Sequence, residues 1–296
     1  KIVGDRNTAL ELYLNGELDA VSLSPESIEQ YIDDPSIKKA PATSIQTLTI
    51  NHGNTNNNGI LGNLNFRKAL FYAVDRESIA KMTNGIPANY LVASKCLGLD
   101  GKTYRDMEES QALLEPNLGY DPAKAKELLT EAGYPDGFSC QLWVNGDVRT
   151  RSAQMVQAQL AEIGITVDIS TMEWGAFLDA LNAGEHEMFI LGWSNSSFDA
   201  DSSTYQLFHS ANHGATGNRA FYSNPEVDTL IEQAQKESDN AKRMELYKEI
   251  QQKINDDAPW VCLFYGTTCT GIRADLKGFV LHPSSANHYE NLYYEK

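Results

Sequence analysis

Residues 139–170 read SCQLWVNGDVRTRSAQMVQAQLAEIGITVDIS. Two short runs, QLWV and TVDIS, have strand character. Between them Ala153, Val156, Leu160 and Ile163 recur at the three-and-four spacing of one helical face, and Gly164 follows as a stop. A strand, a helix and a second strand in this order predict a crossover unit, because parallel neighbours in a sheet cannot be joined by a tight turn. Working outward, Asp121 followed by Pro122 predicts a helix start: the carboxylate caps free N–H groups, and proline fits the first helical position. That helix runs DPAKAKELLTEAG and ends at Gly133. Asn224-Pro225 repeats the logic for a helix to about Lys236, and Met244, Tyr247, Ile250 and Ile254 share a face on the last long helix. Upstream, Asn65 is read as the cap of a helix through Arg67 to Met82, with Phe66, Ala69, Leu70, Ala73 and Val74 inward. The stretch NHGNTNNNGILGNLN, residues 51–65, reads as an exposed loop. Strands are expected at 47–50, 139–144, 166–170, 188–192 and 261–265. Helices alternating with short strands give an α/β layer architecture.

The chain has 296 residues, 42% hydrophobic, enough for a sizeable core. A net charge of −16 argues against nucleic acid and against an anionic membrane surface, which would repel it. Such charge suits a soluble protein. No run of about 18 apolar residues occurs to span a bilayer. The start, KIVGDRNTAL, is not a signal peptide, which leaves export open. Four cysteines, at 96, 140, 262 and 269, include no CxxC pair. Cys262 and Cys269 could bridge across a turn or remain buried thiols. His209 and His213 are four apart, but FHSANHGATGN reads as loop and lacks the glutamate of a zinc-protease helix. With His282 and His288 near the C-terminal strand, they give no metal site. No cofactor motif and no GxSxG, P-loop or GxGxxG appears; a hydrolase built on a pair such as Asp199 and Asp201 is the enzymatic alternative.

Six segments carry a family resemblance. NFRKALFYAVDRESIA (65–80), YDPAKAKELLTEAGYPDG (120–137), AQMVQAQLAEIGITVDISTMEWGAFLDAL (153–181), GEHEMFILGW (184–193), GNRAFYSNPEVDTLIEQAQKE (217–237) and APWVCLFYGTTCTGIRADLKGFVLHP (258–283) follow in order. Together they resemble the family 5 extracellular solute-binding proteins, which deliver dipeptides, oligopeptides, nickel chelates and some sugars to ABC importers. GDRNTALELYLNGELDAV (4–21) fits the family's first lobe. The resemblance implies a type II periplasmic-binding fold, with one complete lobe at 51–261 and remnants of the other at 1–50 and 262–296. It implies that the chain starts partway through lobe one. It also implies a monomeric, non-enzymatic receptor outside the cytoplasm, periplasmic or lipid-anchored, that captures a peptide or similar small polar solute for permease subunits. A sugar or nickel-chelate ligand is the alternative.

In this family the second lobe meets ligand through the loop after the LW strand, here Asn145 to Arg151, and the loop after GW, here Ser194 to Asp201. Trp193 would be a flat apolar wall or a core aromatic. Arg149 or Arg151 would grip a ligand carboxylate or stay solvated. Peptide-binding relatives carry an aspartate four residues after the strand-end glycine, pairing the peptide ammonium. Here, counting from Gly192, that position is Ser196. Either Asp199 takes the role, or the ligand has no free amine, and Ser194, Asn195, Ser196 and Ser197 face a neutral polar solute.

Overall fold

The computed structural model describes residues 3–23, 25–31, 33–88, 119–281 and 290–295. In chain order its elements are α1 (Arg6–Leu14), β1 (Ala20–Ser22), α2 (Pro25–Tyr31), β2 (Ile37–Ile50), α3 (Asn56–Gly59), α4 (Leu64–Ala73), α5 (Arg76–Met82) and β3 (Ile86–Pro87). After residue 119 come α6 (Pro122–Glu131), β4 (Ser139–Val144), α7 (Asp147–Glu162), β5 (Thr166–Thr171), α8 (Trp174–Ala183), β6 (Met188–Ser194), α9 (Asp201–Phe208), α10 (Pro225–Lys236), α11 (Asn240–Asp257), β7 (Trp260–Ile272), β8 (Leu276–Lys277) and β9 (Tyr293–Tyr294).

The crossover forms as its residues predict: β4 and β5 pair in parallel from Ser139↔Thr166 to Val144↔Thr171, with α7 between them. The full sheet runs β1-β7-β2-β6-β4-β5, with β3 also on β7. It is mixed, since β2 pairs antiparallel with both β6 and β7, while β6, β4 and β5 are parallel. This is the expected α/β class. One sheet face packs Leu48, Ile50, Leu142, Val144, Met188 and Ile190 against α4 and α7 through Phe66, Leu70, Val156 and Leu160. On the other, Ile45, Trp260 and Tyr265 meet α9, α10 and α11 through Phe208, Ile231, Met244, Tyr247 and Ile254. Caps at Asp121 and Asn224 are in place, each side chain accepting from first-turn N–H groups.

Local expectations fail where a nearby side chain competes. The helix expected from Arg67 to Met82 is two helices. Val74 is extended (φ −101°, ψ 113°), and the Asp75 carboxylate takes the Ser78 N–H at 3.1 Å, which starts α5 afresh. The cap of α4 is Asn63, not Asn65: its Oδ1 accepts from Asn65 N at 2.9 Å and Phe66 N at 3.3 Å. Replacing Asn63 with alanine should therefore cost about 1 kcal/mol in a urea titration, and Asn65→Ala less than about 0.5; equal losses would place the cap elsewhere. The 51–65 stretch is not simply exposed loop. Asn51 is 1% exposed and donates to the Gly184 and His186 carbonyls, and Ile60 and Leu61 are buried in a 3₁₀ turn. Asparagine here replaces a backbone ladder where β2 ends.

Cys262 and Cys269 lie on one strand, β7, and are buried free thiols, as is Cys140. Seven strand residues span about 23 Å, far beyond the reach of a disulfide. Cys96, His282 and His288 lie outside the described residues. No described helix is long and apolar enough to cross a membrane.

Candidate functional site

Because β4 and β6 are parallel, their C-terminal ends emerge on the same side, where α/β sheets characteristically bind ligands. β4 runs into Asn145 and Gly146, and β6 into the loop that starts at Asn195. Gln46 of β2 is opposite Gly192 of β6 in the register. Its Oε1 accepts from Arg149 Nε at 3.2 Å, while Arg149 Nη1 donates to the Asn145 carbonyl at 3.1 Å. Gln46 thereby ties Arg149 of the first loop to the level of the strand that leads into the second. The Asn145 side chain itself points to β5, donating to the Met172 carbonyl at 2.8 Å.

The Arg149 guanidinium is half-buried, 5.9 Å from the ring centre of the exposed Trp174. Burial lowers its pKa from the ordinary arginine value, with no neighbouring carboxylate to oppose that. Among the described residues no acidic side chain forms an ion pair with it. In a chain of net charge −16, this cation has no counter-ion among the described residues.

The second loop is built differently. Asn195 is 1% exposed: its Nδ2 donates to the Asp199 carbonyl at 2.6 Å and to Ser203 Oγ at 2.8 Å, and its Oδ1 accepts from Ser197 Oγ at 3.1 Å. This clamp holds Phe198 at φ 60°, a conformation that costs a non-glycine residue about 1–3 kcal/mol. Asp199 makes a two-pronged ion pair with Arg243 of α11, Oδ1 to Nη2 at 2.8 Å and Oδ2 to Nη1 at 3.0 Å. Asp201 is occupied as well, accepting from Gln235 at 3.0 Å and Tyr247 at 3.2 Å. Ser194 and Ser196 are exposed, and Trp193 is partly buried with its indole N–H unpartnered. His209 and His213 bind neighbouring backbone, His209 Nδ1 accepting from Ala211 N and His213 Nε2 lying 2.9 Å from the Tyr222 carbonyl. Among the described residues no three His, Cys, Asp or Glu side chains are grouped as metal ligands.

The family model for "Bacterial extracellular solute-binding proteins, family 5 Middle" matches residues 1–215. The chain belongs to this family. Among relatives, the dipeptide-binding protein of Escherichia coli K12 is 33% identical over 242 residues, 78% of this chain and 43% of that protein. A glutathione-binding protein, GsiB, of Pectobacterium atrosepticum is 39% identical over 180 residues, 58% of this chain and 35% of that protein. Solved structures of binding proteins superpose over the length of the chain. The periplasmic binding protein DppA from Helicobacter pylori, in complex with the peptide STSA, gives a TM-score of 0.82 at 27% identity, covering 100% of this chain and 56% of that one. AppA from Bacillus subtilis, in complex with a nonapeptide, gives 0.78 at 26%, covering 100% and 60%. The chain thus spans about half the length of the relatives it matches. Its relatives are solute-binding proteins, and the family is extracellular by description.

Sequence reading did not find Gln46, Trp174 or Arg243. Gln46 and Arg149 are 103 residues apart, and Asp199 and Arg243 are 44 apart. No local pattern links such pairs.

Proposed function

We propose that this chain is part of the substrate-binding component of an ABC importer, which captures a peptide or similar small solute outside the membrane and presents it, as a monomer and without chemistry, to permease subunits. The observation that carries this reading is the Arg149 guanidinium at the shared end of β4 and β6, which has no ion-pair partner among the described residues. A guanidinium fork matches a carboxylate in shape and charge. Asp199 and Asp201 are occupied by Arg243, Tyr247 and Gln235, and serine stands at position 196. The reading is therefore a solute held by its carboxylate, with no ammonium clamp at this loop. Glutathione and peptides, named for the relatives, both carry carboxylates.

The two-lobed division expected from the sequence is retained as a proposal, with the lobes joined through β2 and β7. The first half of β2 and the end of β7 serve a small core of Val21, Leu23, Ile28 and Cys269. The register shift between Pro41 and Ile45 marks the change of core. At Gly266, opposite it, a β-carbon would collide with the Ser44 hydroxyl.

The test is calorimetric binding of N-acetylated dipeptides with a free or an amidated C-terminus. A charge-assisted hydrogen bond contributes about 1.5–3 kcal/mol, so Arg149→Met should weaken the free acid by about 10- to 150-fold and leave the amide unchanged. Equal affinity of the variant and the parent for the acid would remove Arg149 from the site.

A further inference from the structure

A guanidinium carries its N–H donors in one plane, and what occupies each of them decides where an anion can approach. At Arg149 both acceptors in place are neutral. Gln46 Oε1 accepts from Nε at 3.2 Å, and the Asn145 carbonyl accepts from Nη1 at 3.1 Å. The Nε edge is thereby closed, which leaves the edge formed by Nη1 and Nη2 for an incoming group. A neutral acceptor orients a guanidinium without cancelling its charge. A carboxylate in the same place would do both.

Gln46 is held by the sheet and not by a loop. It lies on β2, the strand between β6 and β7, opposite Gly192 on one side and Phe264 on the other. The next residue, Thr47, is opposite Cys262, so β7 carries Leu263 unmatched at this level. Such a bulge increases the local twist and is a recurrent means of re-aiming a side chain beside a site. Strand alternation puts Gln46 on the face of Leu48 and Ile50, the face that α7 covers, and Arg149 stands in the first turn of α7. Arginine only donates, so the amide oxygen of Gln46 must face it and Nε2 must turn away. Nε2 turns toward Gly192, where a β-carbon would collide with it. Glycine at 192 is therefore what gives the amide room in this orientation.

Resting on the solute-binding reading above, we infer that Gln46 is a positioning residue that sets the site's preference for an acid over its amide. It fixes the Arg149 fork with the Nη1 and Nη2 edge presented. Because it is an amide and not a carboxylate, it leaves the positive charge to the solute. Glutamate at position 46 has the same length and would bring a carboxylate to Nε. It would supply the counter-ion from within the chain and compete with an acidic solute. Leucine would keep the bulk but remove the acceptor, freeing the fork to rotate.

The test titrates Ac-Ala-Ala and its C-terminal amide into the whole chain by calorimetry, for the parent, Gln46→Leu, Gln46→Glu and Arg149→Met. Urea midpoints check that each variant folds. The ¹⁵Nε–H resonance of Arg149, assigned by its loss in Arg149→Met, reports the positioning without any ligand. Gln46→Glu is expected to weaken the acid by about 10- to 150-fold, to the level of Arg149→Met, because the charge-assisted bond is spent inside the chain, and to leave the amide unchanged. Gln46→Leu should weaken the acid by about 2- to 10-fold, the effect of one neutral hydrogen bond. The Nε–H signal should exchange with solvent faster in Gln46→Leu and stay protected in Gln46→Glu. If Arg149→Met weakens the acid while both Gln46 variants bind it like the parent, the solute-binding reading stands and the role of Gln46 is overturned. Equal weakening of acid and amide by Gln46→Glu also overturns it, since that is general damage to the fold. If Arg149→Met leaves the acid unchanged, the reading and this inference fail together.

Discussion

Asp199→Ala is expected to destabilise the folded chain by about 3–5 kcal/mol, because removing one member of a buried pair strands the other charge. The group that loses its two-pronged partner is Arg243, 9% exposed, whose guanidinium also contacts the Tyr247 hydroxyl at 3.2 Å and lies over its ring at 4.7 Å. Asp199 further fixes the 195–201 loop, its Oδ1 accepting from Asp201 N at 2.8 Å. The measurement is the urea midpoint of the variant against the parent. A loss below about 1 kcal/mol would mean the pair is solvent-screened like an ordinary surface bridge, and Asp199 would again be a candidate ligand for an ammonium. The double replacement Asp199→Leu with Arg243→Met should recover much of the stability, since an apolar pair leaves no unpaired charge.

The second large effect is loss of stability in mild acid. His186 is fully buried, its Nε2 lies 2.8 Å from the Arg219 carbonyl, and its Nδ1 has no partner. A carbonyl only accepts, so Nε2 carries the proton and Nδ1 is bare. Burial foremost, with the Arg219 charge also lowering it, brings the His186 pKa down to about 4. In the unfolded chain histidine titrates near 6.5. The unfolded state therefore binds more protons between those values. Stability is fully present above about pH 6.5 and falls as pH drops toward 4, by about 3 kcal/mol for this residue. His52, lowered to about 3 by burial and then by Arg67, acts in the same direction. Denaturation midpoints measured from pH 7 to pH 4 should decline accordingly. An imidazole signal of His186 titrating near 6.5 in the folded chain would refute the assignment.

Much of this molecule is legible residue by residue. The Asp121-Pro122 and Asn224-Pro225 starts, the Gly133 and Gly164 stops and the inward faces of α7 and α11 follow from short-range rules of hydrogen bonding and helical periodicity. The structure places each where its residues call for it. The break at Val74 was legible in principle, since Asp75 with Ser78 three residues on is itself a capping pattern. A periodic apolar face running through it concealed the signal. The length of β2 and β7 was not legible. Strand-like apolar patterning is confined to the end of β2 (47–50) and the start of β7 (260–265), and the other halves are held by pairing with each other.

The site divides in the same way. Sequence by itself determined the family, the crossover that brings two strand ends together, and the serine at position 196. Only the tertiary structure decided that Asp199 is bound by Arg243, that Arg149 has no carboxylate partner among the described residues, and that Gln46 of β2 reaches Arg149. Charge pairing and burial depend on distances between residues tens of positions apart. The chain sets those distances only when the sheet has closed its register, so no local pattern can carry them.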